Sequence, residues 1–233
     1  MTEIPKKIIK EILRIKTNPF PMFDARNKLE ILAVNSGLKD AFFAEGSKGW
    51  NNLLSLKRLA MKIGLHCKST RAPPFYFSKI PNVDDNFLRD YYQNENIESL
   101  WIYDNIEVES KIIKCLSGQL NEGYILGYPE CCIRWHEGCR VIEVEETFNE
   151  TRTCIKSDYK KEKEWQRKID NQLFETWKKY PFVPHWACSD CLRGKSQKTE
   201  QLNNKYKELA VSIGFEKIFL YKVKTYCQQI GQN

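Results

Sequence analysis

The stretch "ILGYPECCIRWHEGCR", residues 125–140, decides how this chain is read. It sets two adjacent cysteines behind a Tyr-Pro and follows them with a histidine and a third cysteine. A second stretch, "PFVPHWACSDCLRGKSQ" at 181–197, repeats the pattern, with His185, Cys188 and Cys191 at successive intervals of three. Pro129 suits the opening of a helix, where its missing N–H would be unpaired anyway. Cys131 and Cys132 then fall in the first turn, where unpaired N–H groups and the helix dipole favour negative charge and make a thiolate easier to form. His136 follows Cys132 by four residues and shares its face. Gly138 closes that helix ahead of Cys139. Ser189 or Asp190 is placed to cap a helix running from about 190 to 212, so Cys188 and Cys191 also lie near a helix start. Two such starts, each presenting thiolates, make a four-ligand clamp between distant parts of the chain.

The compartment supports a metal or thiol reading. The N-terminus, "MTEIPKKIIKEILRIK", has no apolar core of the kind a secretory signal needs, and no later window approaches ~20 uninterrupted apolar residues. These features predict a cytoplasmic protein with no membrane segment. There the nine cysteines, an odd number, are read as reduced thiols rather than a disulfide framework. A Cys-x-x-Cys turn lets two sulfurs converge on one ion at about 2.3 Å. The expected metal ligands are Cys131, Cys188 and Cys191, with Cys132 or His185 as the fourth. Zinc suits a closed set of four such ligands, and a four-iron–four-sulfur (4Fe–4S) cluster also takes cysteine thiolates. Adjacent Cys131 and Cys132 are hard to bring to one tetrahedral ion. The expectation is that one ligates while the other packs or stays reactive, or that the two bind different atoms of a cluster. Without metal, Cys132 or Cys131 would be a nucleophile with His136 or His185 as base, so the candidate catalytic residues are Cys132 and His136. Cys67, Cys115, Cys154 and Cys227 are read as space-filling thiols.

The segments "LGYPECCIRWH" and "HWACSDCLRGKSQ…NKYKELA" together resemble an uncharacterised, mainly archaeal domain-of-unknown-function family, number 483. Its members carry Gly-Tyr-Pro-x-Cys-Cys and, later, a His-x-x-Cys-x-x-Cys-like segment. The matching positions are Gly127, Tyr128, Pro129, Cys131, Cys132, His185, Cys188 and Cys191, and Ala187 stands where the pattern has proline. The likeness covers roughly residues 120–212. It implies that the two segments form one site, and it brings no known reaction with it.

Working outward, helices are predicted at 5–16, at 24–36 (opened by Asp24 as N-cap and closed by Gly37) and at 50–63. Further helices are expected at 84–94, 106–117, 158–179 and 190–212. Short strands are expected at "APPFYFSKIP", at "IESLWIYD" and in the alternating tail "FEKIFLYKVKTYC". The fold class is therefore α+β, predominantly helical with a few short strands and a metal or thiol site between helix N-termini. The division is a helical region at 1–105 and a Cys/His-motif domain at 106–233, which can be one continuous domain. Hydrophobic residues make up 42% of the chain, with six Trp, eleven Tyr and twelve Phe, enough to build a core. A net charge of +7 permits RNA or another phosphate-bearing partner. The turn "EGSKGW" offers glycines and a lysine to an anion, and Tyr76, Phe77 and Trp186 are aromatics that could stack on bases. Three functions follow: a Cys/His metalloprotein acting in RNA modification or sulfur chemistry, a zinc-stabilised nucleic-acid-binding module, and a metal-free cysteine enzyme.

Overall fold

The computed structural model describes residues 4–46, 52–70, 98–137 and 171–230. Within these, the fold is predominantly helical around a small antiparallel sheet. The strands are β1 (Ala41–Gly46), β2 (His66–Thr70) and β3 (Glu98–Tyr103), in the order β1-β3-β2. Tyr103 of the central strand lies opposite Ala41 on one side and His66 on the other. Alternation along β3 gives each face its own partner, as the two-residue period of a strand requires. Leu100 and Ile102 join the main core, whereas Trp101 and Tyr103 join a second core built with α4 (Glu107–Leu116) and α5 (Glu122–Ile125). The central strand is thus buried between two helical layers, while β2 stays partly exposed.

The main core is organised by α2 (Pro21–Asn35), twelve of whose fifteen residues are buried. A helix covered on all sides has no polar face, so its charges must find partners inside. Asp24 accepts from the Thr17 backbone N–H at 2.6 Å and pairs with Lys28 at 2.8 Å. Glu30 pairs with Lys39, both almost fully buried. Arg26 donates to the carbonyls of Pro181, Phe182 and Val183, at 2.9, 3.3 and 2.5 Å, and its guanidinium lies 4.8 Å from the centre of the Trp177 ring. Helices α1 (Lys6–Arg14) and α3 (Leu53–Lys62) complete the N-terminal side.

The C-terminal half is helical as well. The helical stretches 130–137 (α6) and 171–179 (α7) are followed by α8 (Ser189–Leu192), α9 (Lys198–Ser212) and α10 (Glu216–Ile230). Phe182, Tyr206 and Phe219 pack into the same core as Leu29 and Leu32, so that core draws on both halves of the chain.

Several sequence expectations change here. The tail expected as a strand is α10: Phe215, Phe219 and Val223 are buried at steps of four, one helical face. The helix expected over 190–212 is two helices, separated by a turn in which Gly194 has φ +77°. Asp24 is not the N-cap of α2; the helix begins at Pro21, and Asp24 sits in its first turn. Gly37 does end α2, at φ +70°, with the Leu38 N–H returning to the Ala33 carbonyl at 2.9 Å. The strand expected at "APPFYFSKIP" (with Tyr76 and Phe77), the helix at 84–94 and the 158–170 part of the long helix lie outside the described residues, as do Cys139, Cys154 and most of the "EGSKGW" turn.

Candidate metal centre

Three helix starts bring the site together. Cys131 and Cys132 lie in the first turn of α6, where the amides of Cys132 and Ile133 bond the Pro129 carbonyl at 2.8 and 3.0 Å. Cys188 occupies the N-cap of α8 and Cys191 lies within it. Thr199 stands in the first turn of α9, fully buried. The turn carrying Cys188 and Cys191 is tied to its neighbours through backbone groups. Thr176 Oγ1 accepts from the Ala187 amide at 3.0 Å, the Tyr180 hydroxyl donates to the Cys191 carbonyl at 2.9 Å, and Lys179 donates to the Leu192 carbonyl at 2.6 Å. Such ties fix where the sulfurs point before any ion arrives.

Sulfurs of Cys131, Cys132, Cys188 and Cys191 all lie within 4.8 Å of one another. The Cys191 sulfur is 3.7 Å from that of Cys131 and 3.8 Å from that of Cys132. The adjacent pair, expected to divide its roles, is therefore delivered whole to one point. These four thiols could hold a metal ion. Hydrogen bonds already converge on them: the Cys188 amide donates to Cys132 Sγ at 3.4 Å, Thr199 Oγ1 lies 3.4 Å from the same sulfur, and Ser196 Oγ lies 3.9 Å from Cys131 Sγ. Donors of this kind favour thiolate over thiol. Burial raises the Cys191 thiol, but hydrogen bonds from Thr199 and Ser196 outweigh it and bring the pKa down to about 7. Burial dominates at Cys132 and Cys188, whose thiols are pushed up. A metal would have to displace protons there, so its binding releases them.

No family model, curated protein or solved structure matches the chain. What the site does follows from its own donor atoms.

His185 does not belong to the group of four. It is buried, its Nε2 lies 3.3 Å from Thr199 Oγ1, and its ring packs against Tyr128 with centres 5.0 Å apart. Burial, reinforced by Lys39 and Arg26, drives its pKa down to about 3, so it is neutral at physiological pH. The His136 ring lies 5.1 Å from that of Trp186. Cys132, His136, His185 and Trp186 all line one cavity of about 410 Å³ beside the sulfurs. Cys115, in the second core, is a packed thiol whose pKa burial raises to about 12; Cys67 and Cys227 lie against the main core.

Sequence reasoning missed Thr199, Ser196 and Tyr180. Ser196 lies in the turn between α8 and α9 and Thr199 just beyond it, which a reading of one unbroken helix conceals. The run "GKSQ" carried the signal, because a glycine followed by a serine ahead of a polar helix marks a stop and a restart.

Proposed function

We propose that the protein is a cytosolic zinc protein in which Cys131, Cys132, Cys188 and Cys191 hold one ion and join residues 127–139 to residues 185–191. The observation that carries this reading is the spacing of the sulfurs. A tetrahedral zinc with Zn–S distances of about 2.3 Å places its sulfurs about 3.8 Å apart, and Cys191 stands 3.7 and 3.8 Å from its neighbours. A 4Fe–4S cluster attaches its thiolates to four separate irons and needs them spread more widely than a single ion does. Four sulfurs around one zinc leave no open position, the hallmark of a site that stabilises a fold. Burial raises the Cys132 thiol, which opposes its use as a nucleophile in a protein without metal.

The ion closes the C-terminal half of the molecule, and the net charge of +7 suits RNA or another phosphate-bearing partner. Elemental analysis and a visible spectrum on protein purified without oxygen test the reading. One zinc per chain in a colourless solution is the expected result. Broad brown absorbance with several irons per chain would overturn it.

A further inference from the structure

The four cysteines of the centre are not equally sheltered. Cys132, Cys188 and Cys191 are 2%, 4% and 0% exposed, and Cys132 borders the cavity of about 410 Å³ with almost none of its surface. Cys131 alone of the four is partly open to solvent. Its sulfur lies 3.7 Å from that of Cys191, nearer than the 3.8 Å between Cys132 and Cys191. A disulfide bond is about 2.05 Å long, so these two sulfurs must close by about 1.7 Å. The Cys191 backbone is held by the Tyr180 hydroxyl on its carbonyl at 2.9 Å, and Cys131 lies in the first turn of α6. Rotation about the Cα–Cβ bonds is the movement that closes the gap and leaves both helix starts in place. Cys131 and Cys132 are worse partners for each other. A disulfide between sequence neighbours closes an eight-membered ring and strains the peptide bond within it.

We propose that Cys131 is an oxidation site at which hydrogen peroxide starts the release of the ion, and that Cys191 closes a disulfide with it. The proposal rests on the zinc reading above, because coordination is what holds Cys131 as a thiolate, the form that reacts. The Cys131 thiolate attacks one peroxide oxygen. The S–O bond forms, the O–O bond breaks and hydroxide leaves, giving a sulfenic acid that no longer carries the charge that bound the zinc. The Cys191 thiolate then attacks the Cys131 sulfur. The S–S bond forms, the S–O bond breaks and a second hydroxide leaves. Two electrons have passed from the pair of sulfurs to the pair of peroxide oxygens. Zinc keeps only Cys132 and Cys188, and it is lost to water as those two sulfurs take up protons. The turn that carries Cys191 stays tied to α6, by a covalent bond in place of the ion.

The test uses the whole chain loaded with zinc, its metal first counted by elemental analysis. Hydrogen peroxide is added in steps without air, and released zinc is read against an untreated sample. Remaining thiols are alkylated and the chain is cut with trypsin, which leaves Cys131 and Cys132 in one peptide and Cys188 and Cys191 in another. Fragmentation of the joined peptides in a mass spectrometer then assigns the link. The expected result is one zinc released for each disulfide formed, with Cys131 joined to Cys191 and with Cys132 and Cys188 alkylated. A dithiol reductant followed by zinc should restore the metal content in full. A chelator alone should remove the zinc and leave all four cysteines alkylated. Loaded protein that keeps its zinc through a roughly tenfold excess of peroxide overturns the inference. So does a first disulfide between any other two of the four. Both outcomes leave the zinc reading intact, because the metal was counted beforehand. Protein that carries no zinc at the outset fails the reading of the centre, and this inference falls with it.

Discussion

Among the described residues, twenty-five buried apolar side chains form one continuous core around α2, while the cluster at the four sulfurs has six buried members, three of them cysteines. The first region can stand on hydrophobic burial, at roughly 25 cal/mol per Å² of apolar surface. In the second, thiols occupy the positions that leucines would fill, and burial there works against ionising two of them. The contrast teaches that one molecule uses two kinds of chemistry: apolar packing drawn from both halves of the chain, and a cluster of four thiols that could hold an ion.

The sharpest way to break that contrast is to remove the proposed ion. Structural zinc contributes apparent free energies of about 10–16 kcal/mol in small zinc-folded peptides. Chelation, or Cys191→Ala, is expected to abolish hydrogen-exchange protection at 130–137 and 188–192 while leaving residues 29–34 protected. Uniform loss of protection would show that the two regions are one cooperative unit. The converse experiment attacks the packed side. Leu32→Ala is expected to lower stability in urea by about 2–5 kcal/mol and Lys39→Met by about 3–5 kcal/mol, the second by stranding the Glu30 carboxylate. Metal stoichiometry should stay unchanged in both.

Acid acts gradually, through a different group. The pKa of His185 falls from 6.5 when exposed to about 3 in the fold, so the unfolded chain takes up a proton that the folded one refuses. Stability from this group is complete above pH 6.5 and is lost as pH drops from there towards 3, at about 1.4 kcal/mol per pH unit. Urea midpoints against pH should therefore slope less steeply in His185→Gln than in the parent. Smallest of all is the cap of α3, where the Asn52 side chain accepts from the Ser55 amide at 3.0 Å. Asn52→Ala is expected to lower stability by about 1 kcal/mol, measured by the thermal midpoint, with no change at the cysteines.

The cysteine segments were legible because their chemistry is local: a proline, a turn and the spacing of thiols place both pairs at helix starts. Their meeting depends on Arg26 and Thr176, distant residues whose sequence context gives no sign of it. The tail misled because "FEKIFLYKVKTYC" satisfies two periods at once, and only burial of Phe215, Phe219 and Val223 chooses the helix. Strand β1 escaped notice because its residues 41–44, "AFFA", are apolar towards both cores and so have no alternation to display. In α2 the charged residues that suggest a surface helix are inside, each with a partner that sequence does not name.

The hold of Arg26 on the carbonyls at 181–183 has a consequence for the order of assembly. Its longest reach is 157 residues along the chain, and Val183 lies two positions before His185 and five before Cys188. During synthesis α2 leaves the ribosome long before those residues exist, so the anchor for the last part of the centre is waiting when they emerge. Cys131 and Cys132 emerge in between, before the Cys188 and Cys191 sulfurs that they end up beside. In the proposed zinc centre the two thiols must then stay reduced for the time a ribosome takes to add residues 133–191, and the last fastening is made by the turn that carries Cys188 and Cys191.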